Sequence, residues 1–433
     1  MIINFSVQNF CSIKQKQTLS LEANKSTHLE EYYIIEPIKG LRLNKLALIY
    51  GANASGKTTV LKALDFLRKI STDPFDKKTQ TFDFEPFLFD ENTPNQNTIF
   101  ELEFVQNGIR YFYEVELNKR CIVKEKLLNF NPNKAVVFER TTDEKKELTS
   151  IKFGSKILKK KHLEESLEIF TLWNNTVLGA SLKANIDNFE LIECSNWFLE
   201  KLCNVLYSSI QTSRDFTIDL VQKGLLNNHF FEKLFAKADF NINKIIIKDK
   251  KIRVPKGLNE NSKFVKKTEV GLSFEMLEYD VKDVLFVHEI GKKKYHLNIN
   301  YESEGTKKYF DLMAILYLIL STDCILSLDE LESSLHPDLF NHFLLTYLVN
   351  GKKESQLIAT THNREILNNK DLFRDDAIWF TDKNEEAATQ LYSLADFGSD
   401  VVRDTTNVLN AYKSGKLGGV PNLGDYYIDL EDE

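Results

Sequence analysis

Lys57 and Thr58 close the run Gly51-Ala-Asn-Ala-Ser-Gly56-Lys57-Thr58, which matches G-x-x-x-x-G-K-[ST]. Glycines at that spacing let a backbone wrap a phosphate with successive N–H groups turned inward, and a helix starting near Gly56 adds the positive end of its dipole. The lysine would meet terminal phosphates and the Thr58 hydroxyl would ligand Mg²⁺. Gly51, Asn53, Ala54, Ser55, Gly56, Lys57, Thr58 and Thr59 are therefore expected to enclose a phosphate chain. A second group, Asp329 and Glu330, ends the uncharged run Cys324-Ile-Leu-Ser-Leu. Two carboxylates at the C-terminal end of a buried strand stand where ligands sit in α/β sheets. Asp329 would hold Mg²⁺ through water, and Glu330 would accept a proton from an attacking water.

Both groups need elements to carry them. Leu46 to Tyr50 is uncharged and stops at glycine, which predicts a buried strand, while Val60, Leu61, Leu64 and Leu67 recur at helical spacing after the loop. The bland alternatives are a glycine turn before an ordinary helix, and a strand ending in two solvated acids. Strand, loop and helix in the required order, with a second carboxylate strand downstream, favour the phosphate chemistry over both.

Around this frame the chain reads as soluble and globular. Its 433 residues are long enough for two or three domains, with 42% hydrophobic and 27% charged residues. The net charge of -7, from 56 basic and 63 acidic residues, excludes a histone-like polycation, so nucleic-acid binding would require a local patch. Five scattered cysteines without a C-x-x-C point to a reducing compartment and no structural zinc. The start MIINFSVQNF is not a signal peptide, and the longest apolar run, Leu312 to Leu320, is about half a membrane span. A cytoplasmic location without membrane contact is expected.

Alternation over Ile2 to Val7 and again at Thr18 to Leu21 predicts a strand pair, and Asn107-Gly108 between two alternating runs is a strong hairpin signal. Helical periodicity over roughly Ser155 to Lys237 predicts a compact helical insert, with strands returning at Ile242 to Val254 and Thr268 to Asn300. Lysines crowd this last region at 248, 250, 251, 263, 266, 267 and 292 to 294, and read as a solvated face before a nucleic-acid groove.

Asp329-Glu330, then Leu331 to Pro337, then Leu357-Ile-Ala-Thr-Thr-His362-Asn363 resembles the ATPase heads of the ABC superfamily, nearest the soluble RecF, SMC and OLD-like branch. The resemblance covers roughly residues 1 to 70, 300 to 340 and 355 to 380. It implies a D-loop at Glu332 to His336, with Ser334 and His336 its contact residues, and a switch histidine at His362 acting beside Lys57 and Glu330. It also implies a signature motif at Ser303-Glu-Gly-Thr-Lys, so that Ser303, Gly305 and Lys307 would meet the γ-phosphate of ATP held by a second protomer. The signature lacks the doubled glycine and glutamine of membrane transporters. No Q-loop glutamine is evident; Gln80 is close, and Glu85 in Phe82 to Phe89 could serve. The segments Asp376 to Phe397 and Ala411 to Pro421 look like the AAA15-type bacterial ATPases called RloA or AbiLi, of phage-defence loci. By the residues alone they read as a hairpin finishing the sheet and a glycine-rich turn.

The expected fold is α/β, an ABC-type P-loop ATPase head with a mixed sheet, an antiparallel β lobe and a helical insertion. The expected divisions are 1–150, a helical insertion at 151–240, and 241–433. The resemblance implies ATP and Mg²⁺ as cofactors. It also implies a homodimer or higher oligomer, and a separate effector, either of the RloB or AbiLii type or a nuclease or toxin. An ATP-driven defence switch is the preferred function, and a RecF-like repair ATPase on double-stranded DNA the alternative. A fused metal-dependent nuclease is disfavoured, because the roughly seventy residues after His362 show no D-x-D with a paired glutamate.

Overall fold

The computed structural model describes residues 1–155, 157, 160–207, 210–238, 240–255, 276–333, 335–351, 354–369, 371–372, 374–397 and 405–421. The chain divides into two compact units. The first holds Met1–Ser208, Leu318–Ser333 and Phe343–Glu433; the second holds Ser209–Tyr317 and Ser334–His342.

The first unit is built on two sheets. In the antiparallel one, β1 (Ile2–Gln8) lies between β2 (Gln17–Ser20) and β6 (Thr98–Gln106). Beyond β6 follow β7 (Ile109–Leu117), β8 (Ile122–Phe130), β9 (Lys134–Asp143) and β10 (Leu148–Phe153). A short pair, β3 (Ile34–Ile38) with β4 (Leu41–Asn44), stands apart. Asn107 and Gly108, at φ 49° and 74°, form the two-residue turn between β6 and β7, whose positive dihedrals match the twist of the strands it joins.

The other sheet has the order β14 (Ile325–Leu328), β15 (Gln356–Thr360), β5 (Leu46–Gly51), β16 (Ile378–Lys383) and β17 (Thr389–Ser393). The first four strands are parallel and β17 returns antiparallel. Every residue of β14, β15 and β5 is buried, as expected for parallel strands covered on both faces. Register does the rest. Leu328 faces Ala359, Thr360 faces Ile49 and Thr381 faces Gly51, so the chain ends that carry polar groups emerge at one edge. Leu202 and Leu206 bridge Ile325 and Leu328 in parallel fashion and cover the outer edge of β14.

The helix Lys57–Thr72 buries Val60, Leu61, Ala63, Leu64, Leu67 and Ile70 in the core between the sheets. Its Phe66 ring meets Phe10, just after β1, and Phe100 of β6, each at 5.6 Å. The segment expected as one helical insertion over 151–240 is divided. Lys160–Phe170, Val177–Ser181, Phe189–Asn196 and Trp197–Lys201 belong to the first unit, because Trp197 packs on Phe104 at 4.3 Å and Phe198 on Tyr113 at 5.6 Å. Ile210–Gln222 and Asn228–Lys237 belong to the second.

In the second unit β11 (Ile242–Pro255), β12 (Met276–Ile290) and β13 (Lys293–Asn298) form an antiparallel ribbon. Phe231, Phe235, Phe286 and Phe310 form its ring cluster, with Phe310 from the helix Glu304–Ser321. The expected strand from Thr268 is described from Met276 onward; Lys263, Lys266 and Lys267 lie outside the described residues. Among the described residues no helix is long and apolar enough to cross a membrane.

A Cβ at Gly108 would meet nothing within 4 Å, so Gly108→Ala carries only a backbone penalty. We expect a loss of about 1 kcal/mol in chemical denaturation of the first unit, the usual cost of a side chain in the left-handed region. An unchanged denaturation midpoint would mean the turn does not hold this geometry.

Candidate functional site

The loop between β5 and its helix is shaped by close backbone approach. Gly56 has φ 112°, and a Cβ there would lie 2.2 Å from Thr389 Oγ1. A Cβ on Gly51 would lie 2.4 Å from both Ser55 Oγ and Thr381 Oγ1. Only glycine satisfies the first dihedral and the space at both positions. Ala54 also takes a positive φ, 62°. The loop is held from below by small hydroxyls. Ser55 Oγ and Thr381 Oγ1 are 2.7 Å apart, Thr389 Oγ1 donates to Ser55 O at 2.8 Å, and Ser12 Oγ lies 2.8 Å from Thr389 Oγ1 and 3.1 Å from Thr59 Oγ1. Ser12, Asn53 to Thr59 and Glu330 line a cavity of about 440 Å³. The Lys57 ammonium is buried and donates to its own loop, to Gly51 O at 2.9 Å and Ala52 O at 3.1 Å.

The carboxylate strand arrives beside the loop. Thr58 Oγ1 donates to Asp329 Oδ2 at 3.0 Å and lies 3.1 Å from Oδ1. An octahedral Mg²⁺ with bonds of about 2.0–2.1 Å spaces neighbouring oxygens by about 2.9 Å, so this pair of hard donors fits one edge of its shell. Among the described residues no group of three or more His, Cys, Asp or Glu could hold a metal, so the ion's other ligands would be phosphate oxygens and water. Thr360 joins the two acids. Its Oγ1 donates to Asp329 Oδ1 at 2.6 Å and accepts from the Glu330 backbone N–H at 2.8 Å. Glu330 takes a left-handed φ of 52°, a costly conformation for a side-chain residue, and its carboxylate is exposed at the cavity.

His362 follows β15, and its backbone N–H donates to a Glu332 carboxylate oxygen. Burial lowers the imidazole pKa, Lys57 lowers it further, and Glu332 and Glu330 oppose the fall. The Lys57 ammonium is likewise pulled down by burial, with Asp329, Glu330 and Glu332 opposing. Glu330 and Glu332 thus act on both bases, and Asp329 on Lys57.

The remaining expected residues lie in the second unit. Ser303 is exposed and caps the helix Glu304–Ser321, with its Oγ accepting the Thr306 N–H at 3.1 Å. Lys307 pairs with Glu304 at 2.7 Å, and Gly305 lies between them. Glu302, one residue before Ser303, holds His288 at 2.6 Å. His336 is exposed and Nδ1 accepts the Asp338 N–H at 3.3 Å, while Ser334 lies outside the described residues. Neither Q-loop candidate lines the phosphate cavity. Gln80 Oε1 accepts the N–H groups of Asp76 and Lys77, and Glu85 pairs with Lys119 at 2.5 Å. Ser12, Thr360, Thr381 and Thr389 were not legible as site residues, because isolated serines and threonines carry no spacing signal.

Residues 46–170 and 187–368 match the family described as "AAA domain, putative AbiEii toxin, Type IV TA system". No curated protein matches the chain. Among solved structures it is similar to an SMC head domain from Thermotoga maritima, with 12% identity, a TM-score of 0.39, and coverage of 90% of this chain and 98% of that one. It is also similar to an Smc head domain with an extended coiled coil, bound to the C-terminal domain of ScpA from Pyrococcus furiosus. There the identity is 12%, the TM-score 0.39, and the coverage 95% of this chain and 99% of that one. Likenesses this weak say nothing about ligands or partners.

Two substitutions separate the loop from the acids. Gly56→Ala is expected to abolish nucleotide binding with or without Mg²⁺, since its methyl group cannot share space with Thr389. Thr360→Val removes the hydroxyl between Asp329 and Glu330 and should weaken Mg²⁺-dependent binding about 10-fold, the scale of a hydrogen bond to a charged group. Calorimetric titration with and without Mg²⁺ reads both; equal losses under the two conditions would refute the assignment of Thr360.

Proposed function

The chain belongs to this AAA-domain family, and on that premise we propose that it is an ATP-binding and ATP-hydrolysing switch of a bacterial phage-defence system. Two copies would close head to tail on ATP and control a separate effector protein. The observation that carries the ATPase reading is the meeting of Thr58 with Asp329 at 3.0 Å, with Glu330 lining the same cavity as the phosphate loop.

In this reading the loop N–H groups and Lys57 hold the phosphate chain, with Lys57 exchanging the Gly51 and Ala52 carbonyls for phosphate oxygens. Mg²⁺, held by Thr58 and Asp329, would supply neutralisation of charge between the terminal phosphates. Glu330 accepts the proton of the attacking water, and its left-handed backbone, pinned by Thr360, aims the carboxylate into the cavity. His362 donates its ring N–H to a γ-phosphate oxygen.

Head-to-tail closure is supported by Ser303, an exposed hydroxyl at the N-terminus of a long helix, which suits a phosphate brought by another protomer. The differential affinity of the closed state for ATP is what would drive the switch. The family description names a toxin–antitoxin system, which favours a defence role with a partner. In the described lysine ribbon, acids offset part of the charge that the DNA-repair alternative would use. Across β11 and β12 the cross-strand partners of Lys248, Lys251 and Arg253 are Asp283, Asp280 and Glu278, and Asp249 faces Lys282. The matching is partial, since Lys244, Lys250 and Lys293 face Val287, Val281 and Ile290, and only such unmatched cations could track phosphates.

Glu330→Gln should lower turnover at least about 100-fold, the usual scale for losing a general base, and should accumulate an ATP-bound dimer. Light scattering with ATP and Mg²⁺ reads the dimer, and Ser303→Arg in the same background should abolish it. A Glu330→Gln protein that stays monomeric with bound ATP would end the head-to-tail reading. Hydrolysis stimulated by double-stranded DNA and lost with added salt would replace the partner-controlled switch with the repair reading.

A further inference from the structure

The turn at Ala411 to Pro421 has no role in the chemistry above, yet it lies against the phosphate loop. After the helix Thr405–Lys413 the backbone turns through Gly415, Gly418 and Gly419, at φ 76°, 66° and 66°. Three side chains of known position hold it. Tyr392 Oη donates to Leu417 O at 2.8 Å, Asp382 Oδ2 accepts the Gly419 N–H at 2.9 Å, and Tyr412 Oη donates to Gly419 O at 3.1 Å. A Cβ on Gly418 would lie 2.2 Å from Tyr392 Oη and 2.7 Å from Asp382 Oδ2. One on Gly419 would lie 3.4 Å from the Gly51 Cα and from Thr381 O. The turn therefore rests directly on the first glycine of the phosphate loop, whose carbonyl is the acceptor of Lys57.

The same element reaches the histidine segment. The helix Thr405–Lys413 packs on Arg364–Asn368, which begins two residues after His362. The Tyr412 ring is stacked on Phe380 at 5.5 Å and meets Tyr50 edge-on at 6.0 Å, and the Arg364 guanidinium lies 5.9 Å from its centre. Tyr412 thus touches Tyr50 just before the phosphate loop, Gly419 against its first glycine, and Arg364 beside the switch position.

We propose that residues 405–421 form a brace through which Tyr412 and Gly419 position the phosphate loop and couple it to the His362 segment, setting nucleotide affinity and not the chemical step. The proposal rests on the ATP reading of the site. Lys57 must leave the Gly51 carbonyl for a phosphate, so the energy of that carbonyl's surroundings enters the binding equilibrium. A contact shared by two ligand-sensitive segments links them reciprocally. Tyr412 and Gly419 are positioning residues, since neither lines the cavity.

The test uses the full chain and two variants. Tyr412→Phe keeps the ring and loses the bond to Gly419 O; Tyr412→Leu loses both. ATP titrations should give KM values about 5-fold higher for Tyr412→Phe, the scale of one neutral hydrogen bond, and higher again for Tyr412→Leu, with kcat within about 2-fold of wild type for Tyr412→Phe. Unchanged KM, or a fall confined to kcat, overturns the brace. Amide hydrogen exchange without nucleotide supplies the independent readout: Tyr412→Leu should accelerate exchange in both 51–58 and 362–368 while β6 and β7 keep their protection. Acceleration in only one of the two segments, or in neither, overturns the coupling. A wild-type chain that binds no ATP refutes the nucleotide reading, and the exchange pattern then still decides whether the brace exists.

Discussion

The pairing of four parallel strands at one register is the constraint on which the site depends. Because Leu357 pairs with Leu46 and Ile378 with Leu48, β5 and β15 end at Gly51 and Thr360 on one edge, with Thr381 of β16 beside Gly51 and Asp329 following β14. A one-residue slip in β15 would turn Thr360 to the other face and take its hydroxyl away from both the Asp329 carboxylate and the Glu330 backbone N–H. The hydrophobic strand interiors enforce the register, since every residue of β5, β14 and β15 is buried and a slip would re-sort all of them. The site's polar geometry is thus held by apolar packing that takes no part in the chemistry.

On the proposed reading, electrostatics then suits the edge to binding a ligand more than to a closed ion cluster. Lys57 is buried beside Asp329, Glu330 and Glu332, and its ammonium satisfies itself on carbonyls of its own loop. One Glu332 oxygen is buried without a partner among the described residues. Desolvated charges of this kind cost free energy unless compensated, and a phosphate chain with Mg²⁺ brings both the missing negative groups for the loop and a cation for the acids. Glu330 adds backbone strain at the same point, in keeping with strain held where a ligand will use it.

The second unit obeys a different logic. Its ribbon sets Lys248, Lys251 and Lys282 opposite acids across the strands while Lys244 and Lys250 face valines, so a stretch that is lysine-rich along the chain is partly neutralised in space. Charge along a sequence and charge on a surface diverge whenever pairing brings opposite signs together.

The phosphate loop, its strand and helix, the acid strand, the β6–β7 hairpin and the terminal β16–β17 pair were all legible in the sequence. Each is a local pattern: fixed glycine spacing, an apolar run ending in charge, a period of two or 3.6, an Asn-Gly turn. The helical stretch between 151 and 240 was legible as helix, but not its division at residue 208, because Trp197 and Phe198 bury against Phe104 and Tyr113, residues about ninety positions away. Ser12, Thr360, Thr381 and Thr389 were invisible for the same reason. A hydroxyl has no periodicity, and its role depends on what distant segment folds within about 3 Å of it. The sequence by itself therefore determined the phosphate-loop pattern and the strand that ends in two carboxylates, the residues proposed to hold phosphate and metal and to move a proton. Only the tertiary structure decided which hydroxyls stand beside them and which glycines must be glycine, because those depend on contacts between segments that lie from 30 to 377 residues apart in the chain.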